Sequence, residues 1–365
     1  MDLFKFNPVT SPTVLENGEF INNAQRIMWV ERYAEPGEFE IEAPLSSGLM
    51  DFLPLDTLIS HVDTTEVMIV ENHEISQEVE GDPTLKITGR SFVSYLENRF
   101  AGVNLVRSSS AITEYIIAAG YSWNQIVTLI NDHIGTPATA NDRLTNVLAQ
   151  TSVSGTGISE MRSVSRADVL KCVMDLLPVD DLGIRTIRRN PFGIGSSTQT
   201  LLDIYAGVDR SDEVIFSWLG GDLDQANYLF SNKNNKNSAL VFGQYVYRMV
   251  DTGPTNYARR MLIVDATDLD GHLSTAPTGS ALVTLLAQMD IRGRTALKNQ
   301  NNIAITQSDI SKTTQYQYRR DYDIGDLITI DGNFNEMAVM RVVEYAEIED
   351  ENGESGHPTL ALPPA

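Results

Sequence analysis

Catalysis needs nucleophiles, metal ligands or paired carboxyls at workable spacing, and this sequence offers few such patterns. Its histidines, His61, His73, His133, His272 and His357, stand singly. None has a second histidine at helical spacing, and His73-Glu74 lacks the histidine that would complete a zincin motif. The single cysteine, Cys172, sits among Val169, Leu170 and Val173 and reads as a small core residue. The run Asp265-Ala266-Thr267-Asp268-Leu269-Asp270-Gly271 has the look of a calcium loop. Setting Gly271 on the EF-hand glycine puts Ala266 at the first ligand position and Pro277 where a bidentate glutamate is required, so the run reads as an Asp-stabilised turn. Gly193-Ile194-Gly195-Ser196-Ser197 lacks the strand–turn–helix setting of a nucleophile elbow, and no phosphate-binding loop occurs. Carboxyl pairs remain. Asp180-Asp181, and Asp209 with Asp212-Glu213, are of the type a glycosidase uses, but acids in this number are mostly solvated surface. No catalytic, cofactor-binding or metal-binding residue is assigned, and no cofactor is expected.

The charge balance excludes further classes. Asp and Glu number 49 against 27 Lys and Arg, for a net charge of −22. Such a field repels nucleic-acid phosphates and anionic membranes, so neither broad nucleic-acid binding nor membrane insertion is expected. No apolar run approaches the roughly 18 residues of a spanning helix, and Met1 to Thr10 carries no basic-then-apolar signal. With one cysteine the chain needs no oxidising compartment to fold, and synthesis in a cytoplasm is expected. A 42% hydrophobic, 21% charged composition over 365 residues supports packed cores, in two to four domains at roughly 100–200 residues each. The charge is uneven. Glu31 to Asp82 holds fourteen acids and one base, Arg32, whereas Asp290 to Arg320 leans basic through Arg292, Arg294, Lys298, Lys312, Arg319 and Arg320. The two patches are either solvated faces or complementary contacts between subunits.

The elements that must carry these residues are mostly strands. Ile27 to Val30, Glu38 to Glu42, Glu66 to Val70 and Thr84 to Thr88 are short and β-branched or aromatic, separated by turns at Pro36-Gly37, Ser46-Ser47-Gly48 and Gly81-Asp82-Pro83. They predict a small antiparallel sandwich or barrel. Ser110 is placed to cap a helix from Ala111 to about Ala119, and a second helix runs from Trp123 to Ile134. Ser165 to Asp168 fits a capping box for a third, which Pro178 ends. Thr136 to Ser163 reads as a long polar loop. Tyr228 to Phe230 and Ala239 to Phe242 flank a polar connector, Ser231 to Ser238, and read as a β-hairpin. A helix follows Gly279-Ser280, and strands return at Ile303 to Ile305, Tyr316 to Tyr318, Leu327 to Ile330 and Ala338 to Val343, with a tight turn at Asp331-Gly332. The fold class expected is α+β, predominantly antiparallel β. Residues 1–100 form an N-terminal β domain, 101–200 a helical insertion, 201–275 a β-hairpin region able to pack back on the first domain, and 276–365 a C-terminal β domain.

Three patterns then carry a family resemblance. They are Trp29-Val30-Glu31-Arg32-Tyr33-Ala34-Glu35-Pro36-Gly37-Glu38-Phe39-Glu40-Ile41, Leu85-Lys86-Ile87-Thr88-Gly89-Arg90-Ser91-Phe92-Val93-Ser94-Tyr95-Leu96 and Tyr322-Asp323-Ile324-Gly325-Asp326-Leu327-Ile328-Thr329-Ile330. In this order they resemble the central tail-hub, or baseplate-hub, proteins of long-tailed bacteriophages, including the siphophage Gp37-like family. By themselves Pro36, Gly37, Gly89, Arg90, Ser91, Tyr322, Gly325 and Asp326 mark the fold: two sharp turns, and a strand end at which Ser91 caps the segment over Phe92, Tyr95 and Leu96.

The resemblance implies two tube-like small β-barrel or sandwich domains with a helical insertion between them. It implies a homotrimer whose six modules match a sixfold tail tube, with the tail tube protein and distal tail ring above and a tail fibre or spike below. It implies a virion protein at the tail tip or baseplate that closes or gates DNA exit through a lumen, without specific nucleic-acid binding. The rival readings are a tail-associated cell-wall hydrolase using a carboxylate pair, and a receptor- or carbohydrate-binding adaptor.

Overall fold

Period-two alternation dominates the first hundred residues, and the chain folds accordingly. In the strand Glu38–Pro44, Phe39, Ile41 and Ala43 are buried while the intervening glutamates lie on the opposite face. Thr84–Ser91 alternates in the same way.

The computed structural model describes residues 1–6, 19–77, 81–101, 115–135, 143–144, 147–155, 162–164, 167–188, 200–231, 235–251, 253, 256–271, 273–298, 303–310, 315–332 and 336–363. Its strands in chain order are β1 Leu3–Phe6, β2 Arg26–Arg32, β3 Glu38–Pro44, β4 Leu58–His61, β5 Val67–Ser76, β6 Thr84–Ser91, β7 Tyr115–Ile117, β8 Val147–Thr151, β9 Arg162–Val164 and β10 Gly183–Arg188. There follow β11 Thr200–Tyr205, β12 Ile215–Ser217, β13 Leu223–Ser231, β14 Ser238–Phe242, β15 Tyr247–Asp251, β16 Met261–Asp265, β17 Ile303–Ile310, β18 Leu327–Gly332, β19 Glu336–Asp350 and β20 Gly353–Ala361. The helices are α1 Leu49–Phe52, α2 Ser122–His133, α3 Val169–Leu176, α4 Thr267–Asp270 and α5 Gly279–Lys298.

One ten-stranded sheet runs β1-β4-β5-β6-β3-β2-β19-β18-β12, with β20 on β19. Its pairs are antiparallel except β12 with β18. The β2–β19 pair, with Arg32 opposite Glu344 and Ile27 opposite Glu349, joins the two ends of the chain. Smaller sheets are β10-β11-β8 and β15-β14-β16, with the pairs β13–β17 and β7–β9. The fold is α+β and rich in antiparallel strands, and among the described residues no sheet closes on itself. No helix among them is long and apolar enough to cross a membrane.

Four cores hold these layers. Trp29, Phe39, Ile41, Leu85 and Ile87 fill the inner face of the large sheet. Val67 and Phe92 pack with Ile126 and Leu129 of α2, Val173 of α3 and Leu202 of β11, so the middle of the chain docks against β5. Cys172 belongs to this core. Phe216, Tyr322, Ile328 and Met340 form a third, and Leu285 and Met289 of α5 cover Val241 and Val250 to form the fourth.

Helices with clear 3.6-residue periodicity form where the sequence places them, α2, α3 and α5 among them. Four local readings are corrected. The described part of the helix expected to Ala119 is strand β7, paired with β9, and residues 102–114 lie outside the described residues. Ile116-Ile117 is β-branched, and an available partner strand decides its conformation. The described parts of the loop Thr136 to Ser163 include β8, which runs parallel to β11. The expected hairpin does not form: β13 pairs with β17, and β14 lies between β15 and β16. The α3 cap is Asp168, whose Oδ1 accepts from the Lys171 N–H at 2.6 Å, while Ser165 lies outside the described residues. Asp168→Ala is expected to cost about 1 kcal/mol in thermal unfolding, and Asp168→Asn to recover most of it.

Candidate functional site

β2 ends by sending alternate side chains to opposite faces, and this sets the charged junction at the centre of the molecule. Arg32 faces outward and bonds Glu38 at 2.7 Å and Glu344 at 2.6 Å. On the inner face the Glu31 carboxylate accepts from Trp29 Nε1 at 3.0 Å, Tyr318 Oη at 2.6 Å and Arg319 Nη2 at 3.0 Å. Arg319 also donates to Glu347 on β19 at 3.1 Å. The Tyr318 ring stacks on Tyr345, with centroids 3.8 Å apart. Burial opposes ionisation of Glu31, but the Arg319 charge and the donors around it hold the carboxyl below its ordinary value.

The middle layer contributes the other wall. Arg185 on β10 donates to Asp203 on β11 at 3.1 Å and lies over the Tyr205 ring at 4.2 Å. Burial pushes Asp203 up, and likewise Asp323 in the turn before β18. Glu66, just before β5, accepts from Ser91 Oγ and from the Thr186 N–H. Burial pushes its pKa to about 7. Glu31, Glu66, Arg185, Tyr205, Arg319 and Asp323 line a cleft of ≈ 370 Å³. Its arginines already face carboxylates of this chain, so the cleft works as an electrostatic joint between layers. None of these six residues was singled out as a site in the sequence. Glu66 sits beside an apolar strand with no signal that β10 docks there, and Arg319 is far from Glu31 in the chain.

The motif residues occupy defined places. Pro36 O accepts from Arg32 Nη1 at 3.1 Å, and Gly37 O accepts from the Ser91 N–H at 2.8 Å, so the first two motifs meet. A Cβ on Gly37 would lie 2.2 Å from Val30 O. Arg90 forms a two-pronged pair with Glu71, both bonds 2.9 Å, and also reaches Glu97. Ser91 Oγ accepts from the Val93 N–H at 3.3 Å, capping the 3-10 turn Phe92–Asn98. Tyr322 is buried edge-on against Phe216. Gly325 has φ +93°, and a Cβ there would meet the Tyr33 ring at 2.5 Å. Asp326 accepts from the Val208 N–H at 2.8 Å, Arg210 Nε at 2.9 Å and the Asp323 N–H at 3.0 Å, tying residues 208–210 to this turn.

The carboxyl pairs serve the same kind of purpose. Asp180 accepts from Ser122 Oγ, Asp181 from Arg341, and Asp209 from Ser211. Asp268 pairs with Arg292, and Asp270 accepts from the Gln244 and Tyr245 N–H groups at 2.6 and 2.9 Å, so the Asp265–Gly271 run ties α4 to its neighbours. Among the described residues no group of three His, Cys, Asp or Glu side chains is placed to hold a metal. Gly193 to Ser197 lies outside the described residues. The acidic and basic segments touch within one chain at Arg319 and Glu31; Arg319 also takes Glu347, and Arg320 takes Asp321, both outside the acidic segment.

The motif set and the fold can be compared with known proteins. The family described as Siphovirus ReqiPepy6 Gp37-like protein matches residues 15–360. The chain belongs to that family. Solved structures share the fold. The 43 kDa tail protein of prophage MuSo2 from Shewanella oneidensis is 12% identical with a TM-score of 0.58, covering 100% of this chain and 98% of that one. A tail protein from Neisseria meningitidis MC58 is 11% identical with a TM-score of 0.56, covering 94% of each chain. Prophage tail protein gp18 from Listeria monocytogenes EGD-e is 9% identical with a TM-score of 0.55, covering 99% of this chain and 94% of that one. No curated protein sequence matches. In this Gp37-like chain Gly37, Gly89 and Gly325 are places where a Cβ would lie 2.2, 1.8 and 2.5 Å from neighbouring atoms.

Proposed function

We propose that this protein is a structural virion component at the distal end of a phage tail. It forms a homotrimeric hub between the tail tube and the tail tip, and it closes or gates DNA exit. The observation that carries this reading is the whole-length correspondence of fold with three phage or prophage tail proteins. In such a hub residues 1–100 and 276–365 supply the tube-like modules, which meet along β2 and β19.

Two surface features favour assembly. On β14–β16 the face opposite α5 carries Tyr247, Ile263 and Met261, exposed by 73%, 70% and 47%. Near β12, Leu219 and Met337 are exposed by 84% and 67%. Apolar area of this kind is what subunit contacts cover, and three chains of net charge −22 need it to offset their mutual repulsion. The outward face of β2, β3 and β6 carries Glu38, Glu40 and Glu42 against Arg26, Arg32 and Lys86.

The test is mass in solution by light scattering at moderate salt. The expected result is a trimer, or a monomer that trimerises when tail-tube protein is added. A monomer indifferent to tube protein overturns the hub.

A further inference from the structure

Strand register gathers exposed apolar side chains into two separate faces. In the β15-β14-β16 sheet Leu240 stands between Met249 and Ile263, Phe242 lies opposite Tyr247, and Ser238 lies opposite Met261. Alternation puts these residues on one face, while Ala239, Val241 and Val250 turn to α5. Tyr247, Ile263, Met261 and Phe242 are exposed, with Leu240 and Met249 half-buried between them. The second face lies at the end of β12, β18 and β19. Met337 and Val339 point away from the core that takes Ile328, Ile330 and Met340, and both are exposed. The Trp218 N–H donates at 3.1 Å to the carbonyl of Asp331, the cross-strand partner of Met337. That bond brings Trp218 and the exposed Leu219 to the same corner.

Both faces are open to solvent in the single chain. The β13–β17 ribbon begins at Leu223, just after Leu219, and β14 follows its far end. The nine residues of β13 span about 30 Å, which separates the two faces along the chain. The faces match in size. At roughly 200 Å² for a large side chain, the exposed fractions leave about 450 Å² of apolar surface on each. A contact about 65% apolar built on that area covers about 700 Å² per partner, near the roughly 800 Å² of a standard stable interface. Asp251, paired with Arg259 at 2.9 Å, and Asp265 stand at opposite corners of the sheet face, where a polar rim belongs.

We propose that the open face of β14–β16 in one subunit packs on the β12-end face of the next copy of this chain, closing a ring of three. The pairing rests on the trimeric hub reading and names the surfaces that build it. A two-fold contact joins a patch to itself and closes at two copies, whereas a ring of three needs a contact between two different patches. Two unlike faces of matching apolar area supply that contact. The sheet has α5 on one side, and the neighbouring subunit becomes the layer on the other. Covering both faces in every subunit also offsets the repulsion among chains that each carry −22.

The experiment puts a charge on each face separately, Ile263→Glu on the sheet and Leu219→Glu at the β12 end, both at exposed positions. The full chain is followed by native mass spectrometry and light scattering at moderate salt, with tail-tube protein present if the wild type needs it to trimerise. Each variant alone is expected to lose trimer at least tenfold. Mixed, they are expected to give a one-to-one dimer at least tenfold above the level in either alone, because each keeps the face the other lacks. A mixture that stays monomeric overturns the pairing. So does a Leu219→Glu variant that dimerises by itself, since the sheet face then meets its own copy. A trimer that survives either substitution overturns it too, including one that no longer binds tube protein. A wild type that stays monomeric with tube protein present overturns the trimer itself, so the two failures are told apart. Tyr247→Ser and Met337→Ser take the place of a glutamate variant that does not fold.

Discussion

Replacing Arg319 with alanine is expected to destabilise the protein at pH 7 by about 3–5 kcal/mol. Arg319, Glu31 and Glu347 have side chains only 20%, 13% and 19% exposed, which removes them from the class of surface pairs worth about 0–1 kcal/mol. Removing the guanidinium leaves two carboxylates on neighbouring strands of one sheet face, with the Tyr318 and Trp29 donors of Glu31 as the remaining compensation. Arg319 sits at φ +64°, a conformation that alanine tolerates no worse than arginine, so the loss reports the charge and not the backbone. The pH dependence separates the two proteins. In the wild type the Glu31 pKa is lowered in the fold, so its contribution is present above the ordinary value of 4.5 and is lost as pH falls below it. In Arg319→Ala burial is opposed only by the neutral donors and the Glu31 pKa rises, so acid relieves the variant and its deficit shrinks between pH 7 and pH 4. Denaturant unfolding followed by tryptophan fluorescence tests this, since Trp29 donates directly to Glu31. A deficit under about 1 kcal/mol at pH 7 would place the triad among ordinary surface pairs. Adding Glu31→Gln to Arg319→Ala should recover part of the loss.

That network shows where sequence reading stops. The strands that build it were legible because alternation is local: Phe39, Ile41 and Ala43 point inward whatever their partners are. Likewise Leu285 and Met289 mark the buried face of α5 by spacing alone. Pairing is not local. Nothing in Tyr228 to Phe230 says that β17 is its neighbour, and a polar connector followed by another strand reads as a hairpin by default. The same gap hides the joint. Glu31 lies in an acid-rich segment and Arg319 in a basic one, and composition alone allows them to be solvated, to meet another subunit, or to meet each other. The β2–β19 pairing settles it by bringing the ends of the chain together. Asp326 was visible as part of a sharp turn, but its hold on Val208 and Arg210 depends on the crossing of segments far apart in sequence.

Gly89→Ala is expected to be the most damaging single-methyl change in the large sheet, costing at least about 3 kcal/mol and lowering the yield of folded protein. The reason is space. A Cβ at Gly89 would lie 1.8 Å from Ile69 O and 2.6 Å from Phe39 Cε1. Phe39 stands opposite Gly89 in the β3–β6 register, and its ring, 1% exposed, fills the room a side chain would take. The carbonyl of Ile69 cannot retreat without opening β5 from β6, which is already irregular between Val70 and Asn72. Moving β6 would also displace Arg90 from Glu71 and Ser91 from Glu66. Gly48 supplies the control. It has φ +78° and nothing within 4 Å of its would-be Cβ, so Gly48→Ala pays only the left-handed penalty of about 1–2 kcal/mol. Thermal unfolding of the two variants side by side separates space from conformation. A Gly89→Ala variant as stable as Gly48→Ala would mean that β5 and β6 yield easily. Phe39→Leu added to Gly89→Ala should rescue it only partly, because it removes the ring and leaves the carbonyl in place.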